Sequence, residues 1–306
     1  MRKKRIAIII NPVAGGGRGR KAWDVLQAGL RALFEDIDFR ISNRVGDIGD
    51  LSIDLLAAKP DYFLVIGGDG TLSEALNGFY KDDKSRVPKT QFAYFNAGCG
   101  GDFARLFPHQ YVTEFLNRLI HGTSQQTNIG KIQFADKRVR YFINAASCGF
   151  SAYVAKLSEN SRWLKKLGGT MNYLFHSLKG MLSYHPQKVS IRLDVQPPIN
   201  AEMLLLAICN GQYFGGKMHV APMARVDDNL LDVVMFLDFS KVAAIFKMVK
   251  IYSGSHVHEK KVHYCQAKKV EIYADSSAML VEADGQLLGS LPATFELLPQ
   301  MLKIIV

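Results

Sequence analysis

The feature that most limits the fold is an apolar run, Tyr62-Phe-Leu-Val-Ile66, that stops abruptly at Gly67-Gly-Asp-Gly-Thr-Leu-Ser-Glu-Ala-Leu-Asn-Gly78. A short apolar run ending in glycines reads as a strand buried on both faces, and the pattern after the loop is helical. Strand, tight turn and helix are the unit of a parallel, helix-covered sheet, which binds ligands at the carboxyl ends of its strands. The same succession occurs twice more. Residues 5–10 predict a strand followed by Asn11-Pro-Val-Ala-Gly-Gly-Gly-Arg-Gly19 and a helix over 21–34, and residues 91–95 predict a strand running toward Gly98-Cys-Gly-Gly101. Ten of the 26 glycines lie in 15–19, 67–70 and 98–101, so the three loops are where this backbone must be open. A strand over 39–42 and helices over 48–58 and 72–79 complete an α/β half.

From about Ile129 the texture changes. Residues 132–134, 139–146, 188–195, 201–209, 231–236, 270–274 and 279–282 are strand-like, and helical patterns appear at 163–182 and 241–252. This half reads as mainly antiparallel, a β-sandwich. The 306 residues therefore predict two domains, an α/β domain over 1–127 and a sandwich over 128–295, with 296–306 returning to the first.

In the first loop, glycines let main-chain N–H groups approach an anion, the following helix adds positive partial charge, and Arg18, Arg20 and Lys21 offer counter-charge. No Gly-Lys-Ser/Thr follows, so it is not a Walker A loop, and a plain strand-to-helix turn is the alternative. In the second loop Asp69 is an acid held between glycines after a buried strand. It is placed to orient a metal or a substrate hydroxyl, with Thr71 and Ser73 as further donors; the alternative is a helix-capping aspartate.

Composition excludes several classes. Cys99, Cys148, Cys209 and Cys265 have no CxxC spacing, as expected of reduced thiols in a cytosolic protein, and His256-Val-His258 lacks companions for zinc. The basic start is followed by an apolar run that ends at Asn11-Pro12, too short for a signal peptide, and no stretch approaches the ~18 residues of a membrane span. The net charge of +10 (38 Lys+Arg against 28 Asp+Glu) is spread along the chain with no nucleic-acid-reading motif, so nucleic acid is not an expected partner. Residues 162–167 and 173–175, with Met181 and Leu182, mix basic and large apolar side chains, suiting either an interfacial helix on anionic lipid or a packed helix with a solvated face. Val242, Ile245, Phe246 and Val249, flanked by Lys241, Lys247 and Lys250, read as core packing.

The ordered motifs resemble the diacylglycerol kinase catalytic-domain superfamily of bacterial lipid, sphingosine and ceramide kinases, with NAD kinases a more distant relation. The resemblance rests on Asn11-Pro12, the Gly67-Gly-Asp-Gly-Thr71 loop, Asn96-Ala-Gly-Cys-Gly-Gly-Asp-Phe-Ala-Arg105, Phe142-Ile-Asn-Ala-Ala146 with Gly149-Phe150, Asn210-Gly-Gln-Tyr-Phe-Gly-Gly216, Ala221-Pro222 with Val226-Asp-Asp-Asn-Leu-Leu-Asp232, and Glu282-Ala-Asp-Gly-Gln286. It implies an NAD-kinase-like nucleotide-binding domain and a β-sandwich sharing a cleft that the lipid enters. ATP and Mg²⁺ are then the expected cofactors, with a lipid at an anionic membrane surface as partner of a cytoplasmic, peripherally associated kinase. The resemblance places the nucleotide on Asn11, Pro12, Val13, Ala14, Gly15, Ser42, Gly67, Gly68, Asp69, Gly70, Thr71, Leu72, Ser73 and Cys99. It places substrate on Glu74, Asn77 and Asp102, and a structural magnesium on Arg225, Asp228 and Leu230.

The chain departs from the family pattern at several of these places. Asn96 stands for Pro, Cys99 for Thr, Gly101 for Asn, Asn128 for a loop acid, and Gln286 for the glutamate of Asp-Gly-Glu. An amide cannot accept the acceptor hydroxyl's proton. If 282–286 is extended, Glu282, Asp284 and Gln286 share a face and a neighbouring acid serves; otherwise Asp69 is the acid. A binding pseudokinase and an NAD-kinase-like enzyme with a soluble acceptor are the rival readings.

Overall fold

The computed structural model describes residues 4–107, 111–159, 175–177, 179–181, 183–237, 249–274, 279–298 and 302–306. The chain divides into two compact units, Met1–Thr127 with Met301–Val306, and Asn128–Gln300.

The first unit runs β1 (Arg5–Ile10), α1 (Ala14–Leu33), β2 (Asp36–Ile41), α2 (Ile48–Ala57), β3 (Tyr62–Gly67), α3 (Asp69–Phe79), the short β4 (Tyr80–Lys81) and β5 (Lys84–Ser85), β6 (Gln91–Asn96), α4 (Val112–His121) and β7 (Gln125–Thr127). β1, β2, β3 and β6 pair in parallel, giving the order β2-β1-β3-β6. Ile8, Ile9, Ile10, Phe63, Leu64, Val65 and Ile66 have no exposed surface, as the unbroken apolar runs require of strands covered on both faces. Trp23, Leu26 and Leu30 of α1 and Phe115 and Leu119 of α4 fill the core on the face of Ile8, Ile10, Leu64 and Ile66. Parallel pairing puts the ends of β1, β2, β3 and β6 on one edge. Asn11, Ser42, Gly68 and Ala97 follow those ends directly.

The second unit contains β8 (Gly130–Phe134), β9 (Val139–Phe142), β10 (Ala145–Gly149), α5 (Phe150–Glu159), β11 (Gln187–Leu193), β12 (Ile199–Cys209), β13 (Tyr213–Phe214), β14 (Met218–His219), β15 (Leu231–Leu237), β16 (Val262–Ala267), β17 (Lys269–Ala274), β18 (Leu280–Ala283), β19 (Gln286–Ser290) and β20 (Ala293–Leu297). β13 and β14 pair only with each other among the described strands; the rest form an antiparallel sheet ordered β19-β18-β10-β12-β11-β17-β20-β8-β9, with β15 on β12 and β16 on β15. β12 and β15 send alternate residues to two cores: Leu206, Ile208, Val233 and Met235 to one, and Ala207, Cys209, Val234 and Phe236 to the other. The second core is closed by Phe150 and Val154 of α5, which explains why β15 is buried along its whole length. β21 (Leu302–Ile305) then pairs in parallel with β6 and antiparallel with β7 in the first unit's sheet.

Two local expectations differ from the structure. The run 139–146 is two strands, because the carboxylate of Asp284 takes the main-chain N–H groups of Ile143, Asn144 and Ala145 where a ladder would continue. Residues 282–286 are not extended. Asp284 (φ 48°) and Gly285 (φ 80°) form a two-residue hairpin turn, so Ala283 faces Gln286, and Asp-Gly is the dipeptide such turns favour.

The basic, apolar segment at 162–167 and 173–174, with Leu182, lies outside the described residues, as do 241–248. Of their neighbours, Phe175 and Val249 are exposed and Met181 is buried, so Val249 is not part of the expected core face. No described helix is long and apolar enough to cross a membrane.

Candidate active site

The edge of the first unit's sheet gathers the three glycine loops. Asn11, held by its N–H to Ile66 O at 2.9 Å, donates from Nδ2 to Thr71 Oγ1 at 3.0 Å, which joins the first loop to the second. Gly15, Gly16 and Gly17 all have positive φ, so regular helix begins only beyond them. Val13 beside them is exposed, and Pro12 O accepts from Arg20 N at 3.2 Å. Arg18 is not a free counter-charge. Its guanidinium donates to Gly15 O at 3.2 Å and Gly98 O at 2.5 Å, tying the first loop to the third. Arg20 pairs with Asp24 at 3.3 Å.

The second and third loops touch through backbone. A methyl group on Gly98 would lie 2.5 Å from the Cα of Gly68, so only glycine permits this approach. Asp69 opens α3, but its carboxylate does not cap its own helix. Oδ2 accepts from Asp102 N at 3.1 Å and Oδ1 from Phe103 N at 3.3 Å, across the loop contact. Burial pushes its carboxyl up, the neighbouring Asp102 charge adds to this, and the main-chain donors oppose it; the result is about 6. Asp69 nevertheless keeps part of its surface open, which a group meeting a ligand requires.

The other expected residues of this unit are placed unequally. Thr71, Leu72 and Ser73 are buried at the start of α3, and Gly70 lies in its first turn. Asn77 donates to Ser73 O at 2.9 Å, a bond inside its own helix, and Glu74 is half-buried on α3. Asp102 is buried, 3.9 Å from Arg105 Nε, and Cys99 is exposed on the third loop. Ser42 donates its hydroxyl to Asp47 Oδ1 at 2.6 Å. Burial alone would raise the carboxyl of Asp47, but that hydroxyl and the N–H groups of Asn43 and Arg44 hold it low.

Two residues that sequence reasoning did not single out as site residues organise the third loop. Asn96 accepts from Gly98 N at 2.9 Å through Oδ1, and Phe103 supplies an amide to Asp69. Both lie in the Asn96–Arg105 motif, where Asn96 stands for the family's Pro, but nothing local to the sequence shows what their polar groups hold.

In the second unit, the acids of 282–286 are engaged. Asp284 is buried, and its two oxygens accept from Ile143, Asn144 and Ala145 N at 3.0, 3.0 and 3.1 Å. Glu282 is buried, with its carboxyl against the Ser147 hydroxyl and accepting from Gly285 N at 3.1 Å; Ser147 continues to Ser151 at 2.6 Å. Burial pushes its carboxyl up to about 7, with Asp284 adding to the shift and Ser147 and Gly285 opposing it. Gln286, the first residue of β19, is half-buried.

The 225–232 loop is held by a reciprocal pair. Asn128 Nδ2 donates to Asn229 Oδ1 at 2.9 Å, and Asn229 N donates to Asn128 Oδ1 at 3.1 Å. Arg225 pairs with Asp227 at 3.4 Å, and Asp228 Oδ1 accepts from Leu230 N at 3.0 Å. Among the described residues no three His, Cys, Asp or Glu converge to hold a metal, so a cation here needs main-chain oxygens as well. The donor chemistry fits one: Asp228 offers a carboxylate, and Asp232, wholly buried, leaves Oδ2 without a partner among the described residues. Burial and the Asp228 charge hold Asp232 above the usual carboxylate range, against the Tyr264 hydroxyl at 2.7 Å.

Residues 5–132 match the diacylglycerol kinase catalytic domain, and residues 144–306 match the YegS C-terminal NAD kinase beta sandwich-like domain. The chain is 26% identical over 303 residues to a diacylglycerol kinase of Mycobacterium tuberculosis, covering 98% of this chain and 94% of that protein. It is 29% identical over 292 residues to a protein of Shewanella frigidimarina named "Probable lipid kinase YegS-like", covering 94% and 91%. In fold it is similar to a crystal structure of a diacylglycerol kinase from Bacillus anthracis, with TM-score 0.71, 19% identity and coverage of 100% and 97%. It is also similar to an NAD kinase from Archaeoglobus fulgidus in complex with ATP, with TM-score 0.52, 12% identity and coverage of 99% and 93%. With both halves matched in order, the chain belongs to the diacylglycerol kinase and YegS-like family of lipid kinases.

Proposed function

We propose that this protein transfers the γ-phosphoryl group of ATP to a hydroxyl of a diacylglycerol-like or sphingoid lipid, with Mg²⁺, at an anionic membrane surface on the cytoplasmic side. The observation that carries the reading is Asp69, a partly open acid near pH 6 fixed by two amides of the third loop. Phosphoryl transfer asks a protein chiefly for positioning and charge. The loops after β1, β3 and β6 offer main-chain N–H groups and the Thr71 hydroxyl to the nucleotide phosphates, and Arg18 and Asn11 hold those loops in register. Bound Mg²⁺ supplies neutralisation of the charge that spreads over the transferring group. Asp69 takes the proton of the acceptor hydroxyl, because at neutral pH it is ionised yet more basic than an exposed aspartate. In the second unit, Asp228 and the carbonyls of Arg225 and Leu230 would hold a structural magnesium.

The rival reading, a binding pseudokinase, is favoured by one observation: Gln286 is an amide, and the neighbouring Asp284 spends its carboxylate on three N–H groups. Incubation with γ-labelled ATP, Mg²⁺ and a mixed lipid extract separates the readings. Organic-soluble label that disappears in Asp69→Asn supports the kinase. Nucleotide binding without any labelled product supports the pseudokinase, and label found only on a water-soluble acceptor supports an NAD-kinase-like activity.

A further inference from the structure

We propose that a pocket of ≈ 330 Å³ within the second unit, beside α5, is a separate binding site for a phosphate-bearing glyceryl group, free or as the headgroup of an anionic lipid. One wall is Gly149, the last residue of β10, with Tyr153 and Lys156, three apart and so on one face of α5. The facing wall is Ser183, Tyr184 and Gln187. The Tyr184 ring is fixed by edge contacts to Phe150 at 5.7 Å and a tilted contact to Tyr153 at 5.4 Å. Its hydroxyl is buried with no partner among the described residues, and so is the side-chain oxygen of Gln187. Two hydrogen-bonding groups on one wall, buried and unanswered among the described residues, are costly unless something enters to meet them.

The chemistry of that ligand follows from the lining. The Tyr184 hydroxyl rotates and donates to a ligand oxygen, whereas the Gln187 side-chain oxygen accepts, so the ligand must also carry a hydroxyl such as a glyceryl group offers. Lys156 is exposed with no ion-pair partner among the described residues, His185 stands on the same lining, and none of the described lining residues is a carboxylate. A hydroxyl donor beside the Lys156 charge selects an anionic oxygen, and the Gln187 acceptor selects a neighbouring hydroxyl on the same ligand. Met279 and Leu280 give a short apolar side. The volume is at the small end of ligand pockets, room for a headgroup and not for acyl chains. None of the glycine-loop residues, nor 282–286, lines it, so it is independent of the phosphoryl-transfer reading.

The test uses binding alone. The full chain is titrated calorimetrically with sn-glycerol 3-phosphate and with inorganic phosphate, and is co-sedimented with phosphatidylglycerol or phosphatidylcholine vesicles. Expected are binding of glycerol 3-phosphate or of phosphatidylglycerol vesicles, weakened about tenfold in Tyr184→Phe and in Lys156→Gln and kept in Asp69→Asn. Tyr184→Phe should melt at or above the parent temperature, since it removes an unsatisfied buried hydroxyl. A soluble probe that depends on both residues identifies a free ligand, and vesicle binding that depends on both identifies a headgroup. If no probe binds, or if both variants bind every probe as the parent does, the proposal is wrong.

Discussion

The carboxamide of Asn96 occupies the space that a side chain on Gly101 would need. A Cβ on Gly101 would lie 2.4 Å from Asn96 Nδ2, while Asn96 Oδ1 holds Gly98 N and so the turn between them. Gly101 has φ of 57°, a conformation that asparagine tolerates better than most residues. The two departures at 96 and 101 are therefore one structural event: the amide that braces this loop comes from its beginning and leaves no room at its end. The loop in turn delivers the amides of Asp102 and Phe103 to Asp69.

A reciprocal exchange checks this coupling. Gly101→Asn alone overpacks against Asn96 and should lower kcat/KM by about fivefold to 150-fold, the rate equivalent of about 1–3 kcal/mol of misfit. Asn96→Ala alone loosens the loop and lowers it also. The double variant Asn96→Ala with Gly101→Asn should recover much of the loss, a favourable coupling that simple additivity forbids. Steady-state kinetics on the four proteins measures it.

Asp69 sets an acid limb. With its carboxyl raised to about 6, the group is protonated below that pH and must be ionised to accept a proton, so kcat/KM should rise with pH and level off above about 6. Asp69→Asn should lose about 10²–10⁴ in rate along with the limb. Gln286→Ala should cost less than about tenfold, because an amide takes no proton in the step. A pH–rate profile for the parent and both variants decides between Asp69 and the 282–286 segment.

Glu282 makes the fold prefer acid. Its folded pKa, raised to about 7, lies above the 4.5 of an unburied glutamate, so between those values the folded chain holds a proton that the unfolded chain has lost. Its contribution to stability is full below about pH 4.5 and is lost as pH rises through 7, a decline of about 3 kcal/mol at most. Glu282→Gln should flatten this part of the stability–pH curve, as read by chemical denaturation at pH 5 and pH 8. An unchanged slope would exclude Glu282 as its source.

Magnesium at the 225–232 loop should reveal itself in stability. Excess Mg²⁺ is expected to raise the melting temperature of the parent, by about 2–4 °C for each kcal/mol of binding, and to leave Asp228→Asn where it was. Chelator should reverse the gain. Calcium and magnesium titrations followed by thermal denaturation provide the check.

The order of elements in the first unit was readable because each strand is a short apolar run stopped by glycine, and that pattern arises from local sterics and burial. β16 was not read as a strand. Its residues Val262–Ala267 alternate weakly in polarity, and it becomes a strand by pairing with the fully buried β15. The 282–286 segment misled for a related reason: alternate acids suggest an extended face, yet Asp-Gly turns the chain and buries the acids on donors far away in sequence.

By itself, the sequence determined the family, the alternation of strands and helices, and the loops where backbone lies open. Those properties are written in the spacing of glycine and apolar residues, each acting on its near neighbours. Only the tertiary structure decided which acids are committed. Asp284 meets Ile143–Ala145 some 140 residues away, Asp69 meets amides 33 and 34 residues on, and Asn96 fills the space beside Gly101. A carboxylate's role depends on burial and on its donors, and those are assembled by distant segments whose approach no local pattern records.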